Sequence, residues 1–228
     1  MPGYTKTILC LANSYKTSGR CLAGVEVCQD GTLQWIRPVS AREHGEISEQ
    51  ERMYADGTDP RVGDILEIPL LRTSRHPFQS ENHLIDPHRH WVFSRRAVER
   101  DIQRCQDDSG RPLWRNGSSS TYGKNDRVRE NLAMPNEGSL RLIKVDQLEV
   151  RLELETNRYG SKRKLRGAFV HAGVQYVLGI TDPQLHRRYF FGPDGRYKIG
   201  PAYLCISLGD PWDGFAYKLI ATVILPQN

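Results

Sequence analysis

Apolar and polar residues alternate in short runs along most of the chain, and the runs break at turn residues. Residues 5–11 and 21–28 read as strands, with β-branched Ile8, Val25 and Val27. Asp30-Gly31 signals a tight turn into a partner strand over 33–39. Residues 46–55 predict a short helix with Ser48 as its N-cap. A turn at Val62-Gly63-Asp64 leads into a strand over 65–71. Residues 76–90 are irregular, with Pro77 and Pro87, and 91–93 form a short extended piece. Ser94 is placed to cap a helix running from Arg95 to about Cys105.

Residues 107–138 are long and polar, with GSSS at 117–120, and predict an inter-domain connection or a mobile loop. From Leu140 the strand pattern returns, over 140–145, 148–154, 163–170, 175–179, 202–208 and 217–225. A short helix is expected at 181–188, capped by Thr181 or Asp182, with Pro183 in its first turn. Each half holds about five strand-like runs around one short helix, the strand count of an OB-fold. The expected fold is mostly β: two OB-like small barrels with a few short helices. Residues 1–94 form the N-terminal barrel, 95–139 a helix and polar connecting loop, and 140–228 the C-terminal barrel.

The 228 residues are 38% hydrophobic, enough to bury a core. No apolar run approaches the ~20 residues of a membrane helix. The apolar patch from Ile8 to Ala12 is shorter than the ~7–15 residues of a signal sequence. The expectation is a cytoplasmic protein with no membrane partner. The five cysteines form no CxxC pair, and their odd number favours reduced thiols. His83, His88 and His90 offer an HxH pair without third and fourth ligands, so no metal is assigned. No GxSxG, P-loop or HExxH is present, and no catalytic residue or cofactor is assigned. Glu81, Asp86, Asp182 and Asp210 leave an Mg²⁺-dependent nuclease as an alternative.

Net charge is +5, and its distribution matters more than its size. Residues 156–198 hold nine Lys or Arg against only Asp182 and Asp194. Seven aromatics are interleaved there: Tyr159, Phe169, Tyr176, Tyr189, Phe190, Phe191 and Tyr197. Cations alternating with rings suit single-strand binding.

Several phrases together resemble one family. They are ILCLANSYKTSGRCLAGVE at 8–26, WIRPVS at 35–40, QSEN at 79–82, RGAFVHAGVQYVLGITDP at 166–183 and ISLGDPWDGFAYKLIATVI at 206–224. As a set they are similar to the dual OB-containing domain family of bacterial proteins. The resemblance implies two OB-like barrels and a link to nucleic acid or to bacterial conflict systems. It carries no active-site residue.

Three constellations form the candidate site. The polar stretch between the first two strands holds Asn13, Ser14, Lys16 and Arg20, at the position of an OB-fold's first binding loop. Its alternative is a solvated hairpin. Trp35 and Arg37 share one strand face and suit a base and a phosphate; Trp35 also suits the core. Lys162, Arg163, Lys164 and Arg166 form the densest basic cluster, and Lys218 stands in the last strand. The expected function is binding of nucleic acid, single-stranded DNA or RNA, beside an enzyme or defence protein in phage defence or DNA processing. The alternative is a nucleotide or modified-base sensor with its ligand between the barrels.

Overall fold

The computed structural model describes residues 3–28, 30–133, 138–157 and 160–226. The chain forms two compact units, Met1–Gln106 and Asp107–Asn228. Arg158 and Tyr159 of the basic segment lie outside the described residues.

The first unit contains β1 (Tyr4–Lys16), β2 (Gly19–Val27), β3 (Leu33–Val39), α1 (Glu49–Arg52), β4 (Asp64–Thr73), β5 (Asn82–Ile85), β6 (Val92–Arg96) and α2 (Glu99–Arg104). β1, β2 and β3 are an antiparallel meander. β4 pairs with both β1 and β5, and β5 runs parallel to β3. That last pairing closes the sheet on itself. Ile8, Leu22, Ile36, Leu66, Ile68 and Ile85 fill the interior. β6 adds to the start of β4.

The second unit repeats the plan with β7 (Arg127–Arg129), β8 (Leu140–Asn157), β9 (Gly160–His171), β10 (Val174–Ile180), α3 (Pro183–Tyr189), β11 (Gly195–Trp212) and β12 (Phe215–Ile224). β8, β9 and β10 form the meander, β11 returns beside β8, and β12 pairs with β11. β12 then runs parallel to β10 through Gly179↔Leu219 and Ile180↔Ile220. Leu148, Val150, Leu152, Leu165, Leu178 and Leu204 occupy its core. In each unit five strands close a barrel, with a helix between the third and fourth. The expected mostly-β, two-barrel fold is the one observed.

Local rules explain most boundaries. Ser48 caps α1 in a reciprocal box with Glu51, as its spacing predicts. Asp182 caps α3, accepting from the backbone N–H of Gln184 and Leu185 while its other oxygen accepts from Val223 N–H. Burial raises the Asp182 carboxyl above its ordinary range. The helix expected from Arg95 begins only at Glu99, because Arg95 and Arg96 are paired with Ile65 and Asp64 in the sheet. Strand pairing there prevails over the cap that Ser94 offers. The polar stretch after Leu11 is also mostly strand. β1 and β2 pair as far as Lys16↔Gly19, leaving Thr17 and Ser18 as the turn, with Thr17 at φ 46°.

The polar segment after residue 107 is built onto the second barrel. Its β7 pairs with β12, and Leu113 and Val128 are buried. Lys124 bridges Val177 of β10 through both backbone hydrogen bonds.

Gly24 shows how closely the first barrel is packed. A Cβ there would lie 2.3 Å from the Leu9 carbonyl oxygen, a backbone atom with no rotamer to yield. Gly24→Ala should therefore destabilise the first unit by about 1–3 kcal/mol, the usual range for overpacking. Urea unfolding of the variant against the wild type reads the loss.

Candidate nucleic-acid interface

Strand alternation decides which cations can meet a ligand. In the second barrel Val150, Leu152, Leu165 and Phe169 point inward. Glu149, Arg151, Lys164, Arg166, Arg196 and Lys198 therefore point outward. Register then aligns them. Arg196 of β11 lies opposite Arg151 of β8, and Arg151 lies opposite Arg166 of β9. Three guanidinium-bearing positions thus cross three neighbouring strands in one row. Like charges directly opposite one another are unfavourable in a sheet.

The barrel offsets part of this row with its own carboxylates. Arg166 grips Glu155 through Nε and Nη2, the latter at 3.1 Å, and its Nη1 lies 3.6 Å from Asp126. Arg151 Nε donates to Glu149 at 2.7 Å. Arg196 has no ion pair among the described residues. Next to the row lies a groove of about 780 Å³ on the same face, lined by Lys124, Lys144, Arg151 and Lys198 against Asp146 and Glu149. Lys144 and Lys198 are exposed and have no carboxylate partner among the described residues. Val170, Ala168 and Val177 form its small apolar floor.

The basic cluster of β9 is divided by the same alternation. Lys162 is exposed. Lys164 lies 3.8 Å from Glu155. Arg163 points the other way: it donates to the carbonyls of Phe190 at 3.0 Å and Gly192 at 2.7 Å, and to Asp194 at 2.9 Å. Glu155 lies one residue before the segment that looked short of acids, and Asp126 lies far upstream in the sequence.

Lys218 is placed inside the barrel, with its side chain 0% exposed. Its Nζ donates to the Arg115 carbonyl at 2.8 Å and to Asn116 Oδ1 at 2.7 Å. The hydroxyl of Tyr176 accepts from Leu113 N–H and from Asn116 Nδ2, each at 3.0 Å. These bonds strap residues 113–116 over the end of the barrel. The ammonium sits 5.3 Å from the Tyr176 ring centroid. Burial pushes its pKa down to about 7, against a smaller upward pull from Asp126.

A second cavity, of about 350 Å³, lies in the same unit between residues 120–126 and the sheet. Asp126, Glu155 and Arg166 form its polar wall, and Trp212 and Tyr217 its aromatic one. Trp212 is 56% exposed.

The first-barrel candidates are engaged within their own unit. Asn13 Nδ2 donates to the Pro60 carbonyl at 2.9 Å, and Ser14 to the Cys21 carbonyl at 3.3 Å. Lys16 closes the hairpin opposite Gly19. The Arg20 guanidinium lies 4.4 Å from the Tyr15 ring centroid. Arg37 is buried, 3.5 Å from Glu81, and Trp35 is half-buried on the same strand face. His83 is buried against the Tyr4 hydroxyl at 2.5 Å, and burial lowers its pKa.

Lys124, Lys144, Arg151 and Asp126 stand outside the residues that sequence reasoning singled out. Alternation over 140–154 marks Arg151 as outward. Nothing in the sequence marks Asp126 or Lys124 as neighbours of β9 and β10.

The lysine strap predicts a pH signature. Above the folded pKa of about 7 and below its ordinary 10.5, the unfolded chain holds a proton that the folded chain lacks. Stability should therefore rise from pH 7 to pH 8.5, with a slope approaching about 1.4 kcal/mol per pH unit. Lys218→Met should remove that slope. Denaturant midpoints of both proteins across this range check the difference, since all other groups are shared.

Comparison with known families matches residues 6–223 to the dual OB-containing domain. No curated protein and no solved structure matches the chain. No helix among the described residues is long and apolar enough to cross a membrane. The family match spans both barrels, and the chain belongs to the dual OB-containing domain family.

Proposed function

We propose that the second barrel binds single-stranded nucleic acid along the outward face of β11, β8, β9 and β10. The observation that carries this reading is the outward set Lys144, Arg196 and Lys198, none with a carboxylate partner among the described residues, beside the groove of about 780 Å³. Arg151 and Arg166 continue the row where Glu149, Glu155 and Asp126 offset their charge. OB barrels use the outer surface of their second and third strands for oligonucleotides, and β9 and β10 hold those places here. A phosphate backbone supplies anions for the cations that this face leaves uncompensated. Phe169 and Tyr176 border the groove but are buried in the core, so affinity along it comes from charge and not from base stacking. The partners on this reading are nucleic acid and an enzyme of bacterial defence or DNA processing, the setting the resemblance implies, in the cytoplasm.

Binding should fall steeply with salt. The slope of log affinity against log salt should shrink by about 0.7 for each phosphate-contacting cation removed. The triple variant Lys144→Glu, Arg196→Glu, Lys198→Glu should lose at least tenfold in affinity for every sequence alike. Fluorescence anisotropy with a single-stranded oligonucleotide over a salt series measures both. Unchanged affinity and slope would remove the groove from the account.

A second reading rests on the 350 Å³ cavity. An exposed indole beside a guanidinium suits a nucleotide or modified base, and the cavity lies within the second unit. A bound nucleotide would raise the melting temperature with the logarithm of its free concentration once that exceeds its Kd. Scanning mononucleotides by thermal shift, with Trp212→Ala as control, separates this sensor from the polymer binder. The sensor predicts stabilisation that the variant lacks, and the polymer binder predicts none.

A further inference from the structure

The turn between α3 and β11 displays a single aromatic ring. Phe191 is 87% exposed, more than any other large apolar side chain among the described residues. It is not a loosely hung residue. Phe190 N–H donates to the His186 carbonyl and Gly192 N–H to the Tyr189 carbonyl, each at 3.0 Å. The Arg163 guanidinium then binds the carbonyls on either side of Phe191, at Phe190 and Gly192, and reaches Asp194. Tyr197 completes the turn by donating its hydroxyl to the Pro193 carbonyl. Phe190 meets the ring edge-on at 5.8 Å between centroids. The backbone is therefore held on both sides of a ring that faces solvent.

The chain on either side of the ring is cationic. Arg187 and Arg188 are exposed in the last turn of α3, and Arg196 is exposed at the start of β11. Arg187 and Arg196 have no ion pair among the described residues. Arg188 lies over the Tyr189 ring at 5.3 Å. Arg196, a member of the outward arginine row, follows Phe191 by five residues in the sequence, at the start of β11. A protein interface would place its aromatic anchor in a charge-depleted core. A membrane-seated element needs a broad apolar face, and here one ring stands alone. A polyanion whose units carry flat apolar faces fits both the ring and its collar.

We infer that Phe191 stacks on an unpaired base of a bound single strand, while Arg187, Arg188 and Arg196 hold the flanking phosphates. This rests on the reading of the outward face as the nucleic-acid interface, and it adds an exposed stacking ring, where the groove's own Phe169 and Tyr176 are buried. The pinned turn presents the ring without further ordering, which keeps the entropic cost of stacking low.

The full chain, Phe191→Ala and Phe191→Trp are compared with a single-stranded oligonucleotide carrying 2-aminopurine, and with phosphatidylserine vesicles. The wild type should bind and quench the 2-aminopurine. Phe191→Ala should lose about tenfold in affinity and most of the quenching, at an unchanged salt slope, because no phosphate contact is removed. Phe191→Trp should keep both. Its melting temperature and that of Phe191→Ala should match the wild type, since the ring is exposed. If the wild type binds and Phe191→Ala binds and quenches equally, the stacking role is overturned and the interface stands. If the wild type binds no oligonucleotide at low salt, both readings fall together. If Phe191→Ala loses only its binding to vesicles, the ring is a membrane wedge and the inference is overturned.

Discussion

In each unit the third and fifth strands run side by side in parallel, and that contact turns an open sheet into a barrel. In the first barrel it is β3 against β5 over Arg37↔Asn82 to Val39↔Leu84. In the second it is β10 against β12 over only two residue pairs. So short a closure leaves backbone groups of both strands unpaired beyond it. Residues 124–129 supply the partners, bridging Val177 on one side and pairing with β12 on the other. A segment that reads as a linker thus becomes part of the barrel wall. It brings Asp126 to Arg166, and the strap to Lys218. The fold therefore sets the electrostatics of the site.

Register does the rest. A cation on a strand meets a ligand only if its position is outward and its cross-strand neighbours do not neutralise it. By that rule Arg163 becomes a turn anchor, Arg166 the centre of a carboxylate pair, and Lys218 an interior fastener. Lys144 and Arg196 remain available, and so does Lys198, because the Glu149 opposite it is engaged by Arg151. The net positive charge of the basic segment is real, but several of its most conspicuous members are structural. Replacing a buried partner such as Asp126 would leave Arg166 under-compensated in a half-buried setting, which costs more than losing an exposed charge.

Much of the architecture was legible from residue order. Period-two alternation gave strand identity, Ser48 and Asp182 gave helix starts, and five runs around a helix gave the barrel count. What was not legible depended on contacts distant in sequence. The segment 113–129 has only Leu113 and Val128 as buried apolar anchors, too few to mark it as a wall strand. Ser94 has the chemistry of a cap, yet pairing with β4 claims its neighbours. The acid deficit of residues 156–198 is partly made up in space, because Glu155 sits on the facing strand and Asp126 just before β7. Phe191 was visible as one aromatic among cations, but its exposure follows from a turn that Arg163 ties from another strand.

The most direct test of the central claim is lysine acetylation footprinting, read by mass spectrometry, with and without a single-stranded oligonucleotide. Lys144 and Lys198 should be protected by the oligonucleotide, while Lys16 in the first-barrel hairpin reacts at its unaltered rate. Protection of Lys16 with unchanged reactivity at Lys144 and Lys198 would contradict the account.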